Sequence, residues 1–339
     1  MGINGLTNVI KKSAPEAMET CNISSLKGKR VVVDMSIPVY QFLISIRCGA
    51  NSFKDNEGNT TSHIHGIYRR FSDYISKGII IIGVFDGKPP EEKKETIKLR
   101  NKDVSESKLK IEELKKQPQT LEIKQQIINL EKKSVKMTWQ HGHDLKILLK
   151  YMGIKTFQAN GEAEAACVWL VKKGYADTIM TEDMDTLVYG DPGIDMTIVR
   201  RTVTRGAPQD EIVIFHYDKI IEKFELTKEQ FVDMCLLCGS DYTDSIPRIG
   251  SRTALRLIQT HKSLEKTLEV LRNKPNAIIP SNEDYQKAKN IFMLENNKLI
   301  YTDELKELIY KCQPNQLKQF LQEKNLFSKS NEKLFNKVY

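Results

Sequence analysis

Three apolar runs, each delivering an aspartate to its carboxyl end, constrain this chain more than any other feature. Lys29-Arg30-Val31-Val32-Val33-Asp34 is a β-branched run flanked by charge, which predicts a buried strand ending at Asp34. The segment from Gly78 to Asp86 repeats the design, and Gly87-Lys88-Pro89-Pro90 stops it. A third strand, Asp177 to Met180, runs into Thr181-Glu182-Asp183-Met184-Asp185. Helix-like stretches at Thr61 to Ser76 and Glu162 to Lys173 alternate with these strands. That order predicts an α/β fold with a mostly parallel sheet, in which ligands bind beyond the carboxyl ends of the strands.

Residues 91–136 break the rhythm, being rich in Lys and Glu and interrupted at Gln117-Pro118-Gln119. They read as two charged helices joined at Pro118 and projecting from the body. Thr227-Lys228-Glu229-Gln230 is a capping-box start for a helix through Cys238, followed by a tight loop and a helix from about Arg252. The polar tail after Asn325 is expected to be peripheral.

Composition narrows the class of protein and of partner. With 40% apolar and 28% charged residues, the chain can build a real core. No run is apolar enough to span a membrane and the N-terminus lacks a signal-peptide pattern, so an intracellular, non-membrane protein is expected. The cysteines at 21, 48, 167, 235, 238 and 312 show no framework spacing, as expected of reduced thiols. Cys235 and Cys238 could form half a zinc site, but they sit in an apolar helical run and read better as one turn of a buried helix. His141 and His143 read as surface groups. The net charge is +8, and if several acids are gathered in one site the remaining surface is more basic still, which favours a polyanionic partner.

The acids that stand out by position are Asp34, Asp86, Glu162, Glu164, Asp183, Asp185 and Asp241. Carboxylates crowded together repel, and only cations relieve them; hard oxygen donors of this kind select Mg²⁺, with Mn²⁺ as a substitute. Seven acids suggest two ions, because magnesium takes few direct protein ligands and keeps its waters. Two such ions about 3.5 to 4 Å apart are a standard device for phosphodiester hydrolysis, and no covalent nucleophile is needed. Glu162/Glu164 and Asp183/Asp185 are each spaced i, i+2, which places each pair at a strand-to-helix junction. Asn160 is placed to cap the helix that carries the first pair.

Together these residues resemble the signature blocks of the flap endonuclease / XPG nuclease family. The blocks are Met1-Gly2-Ile3-Asn4-Gly5-Leu6, Val33-Asp34, Phe85-Asp86-Gly87-Lys88-Pro89-Pro90, Gly161-Glu162-Ala163-Glu164-Ala165, Thr181-Glu182-Asp183-Met184-Asp185 and Gly239-Ser240-Asp241-Tyr242. The match spans about residues 1–312. It implies a Rossmann-like (PIN-type) nuclease core in one domain, with an N region at 1–105, a helical arch at about 91–136 and an internal nuclease region at about 138–262. A helix-two-turn-helix DNA-binding motif is implied at 227–262. The implied activity is cleavage of 5′ flaps on branched DNA, with 5′-3′ exonuclease activity, in replication and repair.

Carried over residue by residue, the resemblance makes the seven acids the metal site. It assigns Lys93 and Arg100, seven apart on one face of the first arch helix, to the scissile phosphate. Two cations there suit charge stabilisation of a phosphoryl transition state. Tyr40 matches an aromatic that stacks on an unpaired base. Gly2, Arg47, Arg70, Glu162, Gly239, Asp241, Gly250 and Arg252 are the further implied DNA contacts. The turn at Ser245 to Ala254 would hold phosphates on backbone N–H groups, with K⁺ on its carbonyls. In this turn the family's usual glycine is Arg248, a departure that predicts a looser first turn. Residues 313–339 form an extension without the family's clamp-binding peptide, so sliding-clamp docking is not supported.

Expected properties are a monomer and an intracellular location, in the nucleus of a eukaryotic or nuclear-replicating host and otherwise in the cytoplasm or at a viral replication site. Within the family, a junction resolvase, an excision nuclease and a pure 5′ exonuclease are the alternatives; the exonuclease is the hardest to separate, since it uses the same site. Two readings from other classes are a silent DNA-binding module, against which all seven acids stand, and a nucleotide-sugar transferase built on Asp183-x-Asp185.

Overall fold

The computed structural model describes residues 3–45, 53–201, 208, 210–273, 279–298 and 311–339. The strands are β1 (Met18–Asn22), β2 (Arg30–Asp34), β3 (Ile80–Phe85), β4 (Lys155–Gln158), β5 (Thr178–Met180), β6 (Thr197–Arg201) and β7 (Glu211–His216). They form a seven-stranded sheet in the order β1-β7-β6-β5-β2-β3-β4. The helices are α1 (Leu6–Ser13), α2 (Ser36–Ser45), α3 (Ser62–Ser76), α4 (Lys94–Lys115), α5 (Leu121–Lys133), α6 (Trp139–Tyr151) and α7 (Ala163–Lys172). They continue with α8 (Tyr217–Phe224), α9 (Lys228–Cys238), α10 (Ser251–His261), α11 (Leu264–Arg272), α12 (Asn282–Lys298), α13 (Pro314–Glu323) and α14 (Lys329–Val338). Among the described residues no helix is long and apolar enough to cross a membrane.

The chain divides into two compact units. The first comprises Met1–Asp34, Val84–Lys93 and Gln158–Lys306. Here β2 and β5 pair in parallel with Val33 opposite Met180, so both strands point Asp34 and the Thr181–Asp185 segment at the same sheet edge. β5 pairs in parallel with β6, whereas β6 with β7 and β7 with β1 are antiparallel. That antiparallel flank was not anticipated from the sequence. Val31, Val32, Val33, Ile179, Ile198 and Val199 are all essentially inaccessible to solvent, and burying each such side chain contributes about 1.5 to 3 kcal/mol. Cys235 and Cys238 are buried in α9, as one turn of a core helix. Asp191 ion-pairs with both Lys172 and Lys228, tying the end of α7 to the start of α9.

The second unit comprises Met35–Gly83, Lys94–Phe157 and Glu307–Tyr339. The two charged helices on either side of Pro118 are α4 and α5, packed on each other. The tail departs from expectation. Rather than lying peripheral, α14 packs on α3. The Tyr68 hydroxyl donates to the Asn331 carbonyl at 3.2 Å, Asn331 and Phe335 are buried, and the Tyr339 and Ser72 hydroxyls meet at 3.1 Å. The polar composition after Asn325 concealed a helical face that buries Asn331 and Phe335.

Two histidines of α3 carry a pH dependence. His63 is fully buried, edge-on to His141 at 4.7 Å, with neither ring nitrogen hydrogen-bonded. Burial, reinforced by His141 and Lys324, pulls its pKa down to about 3. His65 stacks on Phe53 at 4.1 Å, and burial followed by the charge of Arg69 lowers its pKa to about 4. Both folded values lie below the ordinary 6.5, so between these limits the unfolded chain binds protons that the folded chain does not. Stability is therefore complete above about pH 6.5 and is lost as the pH falls. At pH 5 the cost is about 2 kcal/mol per histidine, which a series of urea melts from pH 7 to 5 will read. In His63→Phe that slope is expected to shrink by about half.

Candidate nuclease site

The predicted acids gather in the first unit at the carboxyl ends of its strands. Asp34 closes β2 and is fully buried. Asp86 follows β3, and its Oδ1 accepts the Ala163 backbone N–H at 3.0 Å. This changes the capping expected of α7: its N-cap is Glu162, which makes no side-chain cap bond, and the free amide of the first turn is taken by Asp86 rather than by Asn160. The loop after β3 runs against the strand-to-helix turn before α7, with the Gly87 N–H donating to the Gly161 carbonyl at 2.7 Å. A Cβ on Gly87 would stand 1.9 Å from the Ala159 carbonyl oxygen, so only glycine permits this approach.

Asp183 and Asp185 lie at the start of a 3₁₀ turn, Met184–Tyr189. Asp183 Oδ1 accepts the Asp185 N–H at 3.0 Å, and the Ile3 backbone N–H donates to Asp185 Oδ1. That amide is a positioning group the sequence did not reveal, because a backbone donor from the N-terminal segment leaves no residue-type signal. Glu182, just before them, accepts from Arg200 Nε at 3.1 Å. Asp241 lies just beyond the C-terminus of α9.

Lys93 joins the two halves of the cluster. Its Nζ ion-pairs with Glu162 and, at 3.2 Å, with Asp241, and lies 5.9 Å from the ring centre of Tyr242. The residue stands in a short 3₁₀ turn, Glu91–Lys93, before α4, and not on the same helix face as Arg100. Burial alone would lower the Lys93 pKa, but Glu162 and Asp241 outweigh it and hold the ammonium above its ordinary range.

The carboxyls themselves are under strain. Burial, then repulsion from Asp34, Asp86 and Glu162, pushes Glu164 well up. Its Oε2 is buried with no hydrogen-bond partner. Burial and Asp183 raise Asp185 to about 8, with Asp241 adding to the repulsion, while burial raises Glu162 despite its bond to Lys93. All seven acids thus belong to one mutually repelling group. A hard divalent cation would relieve that repulsion and use the orphaned oxygen of Glu164, and every donor is a carboxylate oxygen. Among the described residues no three of these groups close on a single point.

Other predicted residues are distributed as follows. Gly239 ends α9 with φ +85°, and Gly250 is the N-cap of α10, whose second residue is the exposed Arg252. Arg248 takes up φ +69°, the left-handed conformation that glycine adopts freely, and the turn closes with Ile249 N–H donating to Ile246 C=O at 3.0 Å. The first turn is therefore formed, with strain in place of looseness. Arg248→Gly is expected to raise stability by about 1 kcal/mol, read as a higher urea midpoint; Arg248→Ala, which keeps the strain, should not. In the second unit Tyr40 lies on α2 and receives the Met137 N–H at 3.5 Å. Arg70 on α3 covers the Phe42 ring at 4.3 Å, and Arg100 lies on α4. Gly2 and Arg47 lie outside the described residues.

The XPG N-terminal domain model matches residues 1–107 and the XPG I-region model residues 153–241. The chain is 39% identical to flap endonuclease 1 of Homo sapiens over 294 residues, covering 86% of this chain and 75% of the relative. It is 38% identical to flap endonuclease 1-A of Sorghum bicolor over 307 residues, covering 90% and 78%. Flap endonuclease-1 from Methanococcus jannaschii superposes with a TM-score of 0.68 at 25% identity, covering 95% of each chain. The catalytic core of Rad2 in complex with DNA substrate superposes at 0.74 with 22% identity, covering 99% of this chain and all of that one, a likeness of fold.

Proposed function

Because the chain belongs to the flap endonuclease family of XPG-type nucleases, we propose that its acid cluster is a two-ion Mg²⁺ site for incising branched DNA. The chain is a metal-dependent, structure-specific flap endonuclease; the finer reading assigns the substrate a 5′ flap and adds 5′-3′ exonuclease activity. The observation that carries the site assignment is Lys93 Nζ held between Glu162 and Asp241 within a group of raised carboxyls, one of whose oxygens has no partner.

The seven carboxylates would hold the ions, some directly and some through water. When bound, the ions supply a water of lowered pKa and stabilise charge on the phosphate being cleaved. The protein's own groups then have separate tasks. Asp185 is oriented by the Ile3 amide, and Asp86 by the Ala163 amide, so neither carboxylate has to reorganise to take up its role. Lys93 offers a desolvated positive charge to a non-bridging phosphate oxygen, exchanging its carboxylate partners for the substrate. Arg100 is the second cation assigned to that phosphate.

DNA contacts are proposed at Gly2, Tyr40, Arg47, Arg70, Gly239, Gly250 and Arg252, with K⁺ on the carbonyls of the turn before α10. The 313–339 segment carries no clamp-docking peptide, the protein acts as a monomer, and its place is intracellular, with the DNA it cuts. The test is cleavage of end-labelled 5′-flap, nicked-duplex and four-way-junction DNA in Mg²⁺ and in EDTA. Mg²⁺-dependent incision at the base of the flap supports the reading; preferential junction cutting, or stepwise degradation from nicks without flap incision, overturns it.

A further inference from the structure

One face of α6 carries a feature that the nuclease site does not use. Trp139, at the first position of the helix, is 77% exposed and lies flat against His143, with ring centres 4.8 Å apart and planes 12° apart. His143, Lys146 and Lys150 follow on the same face, and together with Thr156 and Lys311 they line a cleft of about 610 Å³. Among the described residues its lining contains no carboxylate. Trp139, His143, Lys146 and Lys150 are spaced i, i+4, i+7 and i+11, so they form one continuous stripe. At 1.5 Å per residue the stripe is about 16 Å long, room for a few nucleotides.

We propose that this stripe is a second nucleic-acid contact that binds an unpaired strand, with Trp139 stacking on a base and Lys146, Lys150 and Lys311 holding its phosphates. A base-stacking aromatic beside a basic groove is the combination that grips single strands without sequence preference. An exposed tryptophan buries its ring only when a flat partner arrives, and its other face is already supported by His143. Lys146, Lys150 and Lys311 line one cleft, and each can take a phosphate of the strand, releasing counterions from the nucleic acid. A protein partner could also cover an aromatic. The charged groups of the lining are lysines, set beside Ile147 and Ile154 with a hydroxyl and an amide, and this instead favours a polyanion.

The chain has two tryptophans, and Trp169 is only 8% exposed, so a change in intrinsic emission on binding reports Trp139. Full-length protein is titrated with oligothymidylate of roughly eight nucleotides in EDTA, where no cleavage step is involved. The expected result is saturable quenching that weakens with salt and whose affinity falls about tenfold or more in Lys146→Glu/Lys150→Glu. Both lysines are exposed, and an unchanged melting temperature of the variant checks its fold. Absence of quenching, or equal quenching in the variant, overturns the proposal. So does quenching by thymidine monophosphate or inorganic phosphate at the same phosphate concentration, which would make the cleft a small-anion pocket. Because the readout needs no incision, its failure in a protein that still cuts flaps rejects this groove and leaves the nuclease reading intact.

Discussion

Asp185→Ala is expected to slow flap incision by about a thousandfold or more while DNA binding is kept or tightened. Asp185 is held in the cluster by a directed contact, its Oδ1 receiving the Ile3 amide. Its neighbours Asp183 and Asp241 repel it, and burial adds to a pKa of about 8, so its charge is retained in function only through a cation. Removing it takes away an ion's carboxylate and leaves the Ile3 amide without its acceptor. Losing metal-assisted stabilisation of the transition state is worth several kcal/mol, and each 1.36 kcal/mol is a factor of ten in rate. Binding responds in the opposite sense. DNA is held chiefly through phosphates, and deleting a carboxylate from the site lowers its repulsion for them. Single-turnover incision and filter binding on the same flap separate the two effects. Parallel loss of rate and affinity would mean that Asp185 holds the fold and not the ion.

Much of this site could be read from sequence because chemistry and periodicity coincide in it. The β-branched run before Asp34 and the isoleucine run before Asp86 are strands by composition, and the parallel pairing of β2 with β5 sets Asp34 and the Thr181–Asp185 segment at one edge. The helix beginning after Thr227 was equally legible, since its capping box is a local signal that the structure reproduces with Thr227 and Gln230. What could not be read depends on contacts between distant segments. The cap of α7 comes from Asp86, 77 residues away, and not from nearby Asn160. Strand β1 carries mixed polar and apolar residues and gains its identity by pairing with β7, Met18 opposite Phe215, while β7 pairs on its other side with β6. Likewise α14 looks polar throughout until Asn331 is seen donating to the Leu326 carbonyl at 2.7 Å and Phe335 is seen buried. Arg248 shows a second kind of limit. Its residue type argues against the left-handed conformation that the turn imposes, and tertiary context wins at a cost of about 1 kcal/mol.

Lys93→Ala is the second large effect, and it separates charge stabilisation from metal binding. The ammonium is mostly removed from solvent, its side chain 15% exposed, and it touches Glu162 and Asp241 without being a metal donor. A positive charge so placed is stronger than one in water, because the surroundings screen it little. If it moves to the phosphate as negative charge develops there, its deletion should cost what removal of one preorganised donor costs, about 10² to 10³ in kcat. The Michaelis constant should change far less, since an interaction made chiefly in the transition state does not appear in ground-state binding. Lys93→Arg keeps the charge but spreads it over a larger planar group in a closely packed place, so partial recovery is expected. The opposing idea is that Lys93 only neutralises Glu162 and Asp241 in the free protein. Under it, Lys93→Ala would shift the Mg²⁺ concentration needed for half-maximal rate, since two carboxylates would lose their counter-ion, and the rate at saturating Mg²⁺ would match wild type. Measuring incision against Mg²⁺ therefore decides the matter: a rate deficit that persists at saturation places Lys93 on the substrate, and one that disappears confines it to holding the acids together.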